Sequence, residues 1–352
     1  QVHEVRMPGG ARRQLTFYPD RVADAGWPRR SGDYFVFTKD RGGDEFSQIY
    51  RTDVATGATT MISDGGRSQN SLGPWSHAGD RMAFASTRRN GVDRDIYVMD
   101  PRDPSSTRLL LELKGGGWAP LGWSPDDQRL AVIEYVSVNE SYVWIADVAA
   151  GTKTLLTPKA GKVPVAYDGA EFSRDGRGVY VLTDRDSEFM RIAWIELATG
   201  QHRYLTTDLD WDVEGFDVSP DGRTIAFVTN EDGASVLHHI EATTGKALPV
   251  PQLPIGVVGA LAWHESGREL GVSLSSARAP SDVYSVDFAA QRIERWTESE
   301  TGGLNASAFA EPEIVRWKSF DGRTISGLLY MPAARFARPR PVMVNIHGGP
   351  EG

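Results

Sequence analysis

One motif recurs along almost the whole chain, and it constrains the fold more than any other feature. "WSHAGDRMAFASTRRNGVDRDIYVMD" begins at Trp75 and "WSPDDQRLAVIEYVSVNESYVWIAD" at Trp123. Further copies begin at Phe172, Val218 and Trp263, and a looser one at Trp27. These anchors lie 48, 48, 49, 46 and 45 residues apart. Each copy reads as four short strands. An aromatic residue or valine ends the first, and a polar turn such as "SPDG" follows, with Asp and Gly suited to a tight turn. The second strand is apolar on both faces, with Met82 and Phe84 alternating with Ala83 and Ala85, as strands covered on both sides require. A charged loop leads to a third strand, and the fourth often closes on Leu-Thr, as at Leu156-Thr157 and Leu205-Thr206.

Four strands in every 40–50 residues or so, without helical periodicity, predict an all-β chain folded as a β-propeller. A helical solenoid would show a 3.6-residue period, and a β-sandwich would not repeat its sequence. "QVHEVRMPGGARRQLT" aligns with the second half of a unit, so the sequence is expected to open halfway through a blade. Six complete units plus this half predict seven blades, with six as the alternative.

The repeat breaks after Trp296-Thr297. We place the propeller at residues 1–308 and a second, α/β unit at 309–352. The second unit would open with a hairpin over Ile314–Phe320 and Thr324–Tyr330, turning at Asp321-Gly322. A strand buried on both faces is then expected at Pro341–Ile346, leading into "HGGPEG".

Composition narrows the function. With 38 basic and 47 acidic residues the net charge is −9, which argues against a nucleic-acid partner. No cysteine occurs, so disulfides, thiolate metal sites and a cysteine nucleophile are excluded. No apolar run reaches the roughly 18 residues of a membrane span. Nothing in the pattern calls for a cofactor or metal. The compartment stays open between cytoplasm and, if a signal peptide was removed, periplasm; homo-oligomerisation also stays open.

Propeller repeats of the "WSPDG" type, a "SFDGRTISGLLYMP" hairpin and "VMVNIHGGPEG", in this order, resemble the prolyl oligopeptidase family of serine peptidases. The "HGGP" form is most similar to its acylaminoacyl-peptidase and dipeptidyl-peptidase-like branch. The resemblance implies an α/β-hydrolase domain, short peptides as substrates and a propeller that excludes folded proteins. It places His347, Gly348 and Gly349 at the oxyanion hole, with Pro350 fixing the turn. Related branches supply a tyrosine hydroxyl where His347 stands, so donation here would fall to backbone N–H groups. The nucleophile elbow G-x-S-x-G matches nowhere from Gln1 to Gly352. The resemblance therefore implies that Ser, Asp and His lie downstream and that this stretch alone is inactive. The other readings are a stand-alone binding propeller, as in Tol-type proteins, and an esterase of the same fold.

Some relatives hold the substrate's amino terminus with propeller carboxylates, and Asp186 and Glu188 are the candidates for that role. The loop acids Asp93, Asp95 and Asp184 read as solvated turns. His238 and His239 are adjacent in a strand, so they point to opposite faces and cannot share a metal. His77 and His264 follow blade anchors and read as turn residues. The tryptophans at 27, 75, 123 and 263 read as core.

Overall fold

A computed structural model describes residues 1–159, 161, 163–336 and 339–346. It shows a propeller whose blades are consecutive antiparallel meanders. A short hairpin comes first, β1 (His3–Glu4) with β2 (Arg13–Gln14). Blade 1 holds β3 (Val22–Gly26), β4 (Tyr34–Lys39), β5 (Gln48–Asp53) and β6 (Thr59–Met61). Blade 2 holds β7 (Asn70–Trp75), β8 (Met82–Ser86), β9 (Asp95–Asp100) and β10 (Asp103–Leu111). Blade 3 holds β11 (Trp118–Trp123), β12 (Arg129–Ser137), β13 (Glu140–Asp147) and β14 (Thr152–Leu155). Blade 4 holds β15 (Tyr167–Phe172), β16 (Gly178–Thr183), β17 (Arg191–Glu196) and β18 (His202–Tyr204). Blade 5 holds β19 (Val213–Val218), β20 (Thr224–Glu231) and β21 (Ala234–Glu241). Blade 6 holds β22 (Val257–Trp263), β23 (Glu269–Ser276), β24 (Ala279–Asp287) and β25 (Arg292–Arg295).

Among the described residues six blades are thus present as sheets, the lower of the two expected counts, with the β1–β2 hairpin between blades 6 and 1. Blade 5 departs from the four-strand rule. Its fourth strand is reduced to one bridge, Ile240 with Ala247, because Pro249, Pro251 and Pro254 follow and cannot donate to a ladder.

First strands of neighbouring blades pack side by side, so they line the centre, while the fourth strands β6, β18 and β25 carry no buried residue. Glycine lets the inner strands approach: a Cβ on Gly122 would stand 2.5 Å from the Ala170 carbonyl oxygen. The second strands are the core. Met82, Ala83, Phe84 and Ala85 are fully buried, and so are Ile225 and Ala226.

The structure gives the Leu-Thr ending a physical reason. Thr157 Oγ1 accepts the backbone N–H of Val143 at 3.1 Å, and Thr206 Oγ1 that of Ile192 at 3.0 Å. Thr16 does the same for Val2 at 2.8 Å, Ser63 for Ile49 at 2.9 Å and Thr297 for Val283 at 2.9 Å. Each hydroxyl satisfies a third-strand donor where the fourth strand leaves the ladder. The "SPDG" turns are built alike. Ser173 Oγ donates to Asp175 at 2.7 Å and Ser219 Oγ to Asp221 at 2.7 Å, with Gly176 and Gly222 at φ +67° and +73°. That hydroxyl is the main reason Asp175 titrates at about 2.

The remaining chain forms the expected hairpin, β26 (Glu313–Lys318) with β27 (Thr324–Leu329), turning at Gly322. The expected strand at Pro341–Ile346 is not there. Those residues form no strand, and Val342, Met343, Val344 and Ile346 are 82%, 95%, 74% and 82% exposed. A both-face-apolar strand needs partners on both sides, and among the described residues none lies beside it.

Candidate functional site

In a meander the second-to-third turns of every blade fall on one face of the ring and the "SPDG" turns on the other. The β26–β27 hairpin sits on the first of these. Arg316 donates through Nε to Asp232, in the β20–β21 turn, at 3.1 Å. Arg278, in the β23–β24 turn, meets Glu311 at 3.1 Å. Leu328 lies against the backbone of Gly233. Two blades therefore hold the hairpin, mostly through ion pairs near solvent, which contribute little each.

Asp186 and Glu188 lie on the same face, in the β16–β17 loop. Asp186 has φ +58° and accepts the Tyr204 hydroxyl at 2.8 Å, with Arg185 at 3.6 Å. Burial and this carboxylate push the Tyr204 phenol up to about 12. Glu188 is exposed. The two carboxylates are on one loop, and Asp186 is already engaged. His347, Gly348 and Gly349 lie outside the described residues, as does Pro350.

Two expectations for other residues are corrected. Asp95 is no solvated turn residue: it is fully buried, paired with Arg89 at 2.7 Å and accepting the Leu113 N–H at 2.8 Å. Trp27 is no core residue but 37% exposed, stacked on Phe35 at 4.8 Å, because it flanks the incomplete blade. Other expectations hold. His77 and His264 both sit in turns, His264 contacting Ser266 of its own turn at 2.8 Å and His77 reaching the Trp123 carbonyl of the next blade at 3.2 Å. His238 and His239 face apart, one stacked on Phe227 and the other on Phe288.

The channel wall carries carboxylates that the sequence reading passed over. Asp168 on β15 and Glu214 on β19 are exposed at equivalent positions, beside a hollow of about 210 Å3. Three residues on, Glu171 and Asp217 occupy the next matched pair. Glu171 accepts the Val218 N–H at 3.3 Å, and Asp217 the Trp263 N–H at 2.6 Å, so each bridges to the following blade. Burial, then the Asp217 charge, raises the Glu171 pKa well above the usual range. Burial likewise raises Asp217, opposed by the Trp263 N–H and the Arg29 charge. The signal was available: "YDGAEF" and "VEGFDV" align both pairs. Among the described residues no group of His, Asp and Glu is arranged to hold a metal ion.

The comparisons with known proteins agree with this fold. No protein-family model matches the sequence. The chain is 24% identical over 255 residues to dipeptidyl-peptidase 5 of Porphyromonas gingivalis, covering 67% of the chain and 35% of that protein. It is 27% identical over 199 residues to the uncharacterized peptidase YuxL of Bacillus subtilis, covering 55% of the chain and 27% of that protein. The puromycin-hydrolyzing peptidase of Mycobacterium tuberculosis superposes with a TM-score of 0.72 at 16% identity, over 93% of this chain and 56% of that one. Prolyl oligopeptidase B of Galerina marginata superposes with a TM-score of 0.66 at 12% identity, over 87% of this chain and 46% of that one. The fold is the prolyl oligopeptidase propeller. The homologues are peptidases, and the chain spans about a third of their length. In this prolyl oligopeptidase-type propeller, the loop face with its hairpin and the acidic channel wall are the two candidate functional surfaces.

Proposed function

We propose that this chain is the substrate-admitting propeller of a serine peptidase that hydrolyses short peptides. The observation that carries the reading is the hairpin held on the loop face, Arg316 by Asp232 and Glu311 by Arg278. The stretch Val342–Ile346 that follows it in the chain is mostly apolar and exposed, and a hydrolase sheet would pair and cover such a stretch. Similarity to two peptidases supports the same assignment.

In this reading the catalytic serine, its histidine base and the orienting aspartate come from a hydrolase domain outside this sequence. The turn His347-Gly348-Gly349 would aim backbone N–H groups at the tetrahedral oxyanion, where one donor contributes about 3–4 kcal/mol. The channel would exclude folded proteins by size. Its wall at Asp168 and Glu214 would draw in the cationic amino terminus of an unfolded peptide. Glu188, exposed on the loop face, is the better of the two candidate ligands for that terminus, since Asp186 is bonded to Tyr204.

A fluorophosphonate probe tests the chemistry. The intact protein should be labelled on one serine, and peptides should protect it; absence of labelling together with absence of peptide hydrolysis sinks the proposal. Turnover of esters with no turnover of peptides would instead establish the esterase reading.

A further inference from the structure

A cavity of about 760 Å3 opens on the face of the ring opposite the β26–β27 hairpin. Three parts of the chain build it. Arg6 and Arg13 come from the β1–β2 hairpin, Tyr34 and Arg51 from blade 1, and Arg102 from the β9–β10 turn of blade 2. Four guanidinium groups converge here in a chain of net charge −9.

Their acidic partners do not match them. Arg6 and Arg13 share one carboxylate, Glu4, at 3.1 and 3.7 Å. Arg102 reaches Asp33 only at 3.9 Å. Arg51 donates to a backbone oxygen, that of Pro101, at 3.1 Å. Asp53 also lines the cavity, but its carboxylate accepts the N–H and hydroxyl of Thr56, both at 3.0 Å.

Tyr34 supplies the second observation. It is 3% exposed, with the Arg51 and Arg102 guanidinium carbons 5.8 and 5.0 Å from its ring centre. Its hydroxyl is buried and makes no hydrogen bond. A buried O–H without an acceptor carries a desolvation cost that a bound acceptor removes. Burial also raises the phenol pKa, which keeps it a donor.

We propose that this cavity binds a small phosphate-bearing anion, held by the Arg51 and Arg102 guanidiniums and by the Tyr34 hydroxyl. Guanidinium forks match phosphate oxygens in geometry and strengthen the bond by their charge. A tetrahedral dianion can engage more than one fork at once. The volume leaves room for an organic group beside the phosphate, within the range of small-molecule sites. Nothing here involves the backbone of a nucleic acid, which the overall acidity disfavours.

The test is titration of the intact protein with inorganic phosphate and with phenyl phosphate, at ionic strength held constant with chloride. Binding is followed by calorimetry and by Tm. Both phosphates should bind saturably and raise Tm, as a ligand of the folded state does. Arg102→Gln, at an exposed side chain, should weaken binding by about tenfold or more. Tyr34→Phe should weaken it less, and Arg203→Gln, at a distant exposed arginine, should leave it unchanged. Tighter binding of phenyl phosphate would show that an organic phosphate is the ligand, and equal binding that the free ion is. The proposal is overturned if phosphate raises Tm no more than chloride does. It is equally overturned if both Arg102→Gln and Arg51→Gln bind phosphate as the unaltered protein does.

Discussion

Blades 3 and 4 meet across a sealed apolar interface, whereas blades 6 and 1 meet through a two-stranded hairpin and a pair of polar contacts. Between blades 3 and 4, Ala131, Val143, Ala170, Phe172 and Val179 form one buried cluster. Elsewhere in this part of the ring the indole N–H of Trp123 reaches the Pro74 carbonyl at 2.9 Å, and that of Trp263 reaches Asp217 at 3.0 Å. At the seam, Val2 inserts beside Phe35 and Phe37, which ties the hairpin to blade 1. Toward blade 6 the hairpin offers the Gly9 N–H to the Trp296 carbonyl at 3.1 Å and Arg12 to Glu300 at 3.3 Å. Equivalent anchors register the difference: Trp123 is 3% exposed and Trp27 37%. The same repeat thus gives unequal interfaces, because an inner strand is sealed only when a complete blade stands on each side of it.

Five substitutions and a pH series would break or sharpen this contrast. Trp123→Ala should cost about 3–5 kcal/mol, as large aromatic truncations in cores do. Trp27→Ala should cost about 1–2 kcal/mol, having less area to lose. Equal losses in urea denaturation would contradict the unequal seal. Thr157→Val removes the acceptor of a buried N–H and should cost about 1–3 kcal/mol. Thr297→Val removes both the acceptor of the exposed Val283 N–H and a donor to the buried Asp282 carboxylate, and should cost about 1–3 kcal/mol, nearly all of it from Asp282.

The pH response should divide along the same line, because the strongly perturbed carboxyl pair lies in the sealed part. Glu171 and Asp217 have raised pKa values, so their contribution is fully present below the ordinary carboxylate pKa and is lost as pH rises through the raised values. Glu171→Gln should therefore raise Tm at neutral pH and flatten that decline; an unchanged Tm profile would dismiss the pair. His239 has its pKa lowered by burial, so below the ordinary histidine range the unfolded chain takes up a proton that the folded one resists. Stability should fall from about pH 6.5 downward, and His239→Phe should lessen the fall. The smallest effect is expected at the seam surface, where Arg12→Gln should change stability by less than about 0.5 kcal/mol.

The propeller was legible because each blade repeats the same packing problem. Met82-Ala83-Phe84-Ala85 and Ile225-Ala226-Phe227 announce a strand covered on both faces, and both are buried. The Leu-Thr ending was legible as a pattern, but its reason lies in a third-strand donor 14 residues earlier, which only the fold brings opposite. Where single copies deviate, the repeat misled. Prolines after Ala247 erase the fourth strand of blade 5, and Asp95 looks like a loop acid until Arg89 and Leu113 close over it. Glu171 and Asp217 stand at matched positions of aligned repeats, and only their bonds to the following blade needed the fold. The Tyr34 cavity is made by adjacent blades, and no one repeat contains it. The strand expected at Pro341–Ile346 rested on composition, which specifies what could be buried but not what is present to bury it.

The size filter is the claim on which the functional account depends, and one comparison tests it directly. A cleavable ten-residue peptide is offered to the intact protein, free or embedded in a stably folded carrier, and the two hydrolysis rates are measured. The free peptide should be cleaved and the carrier left whole. Equal cleavage of both, or cleavage of neither, would contradict the account.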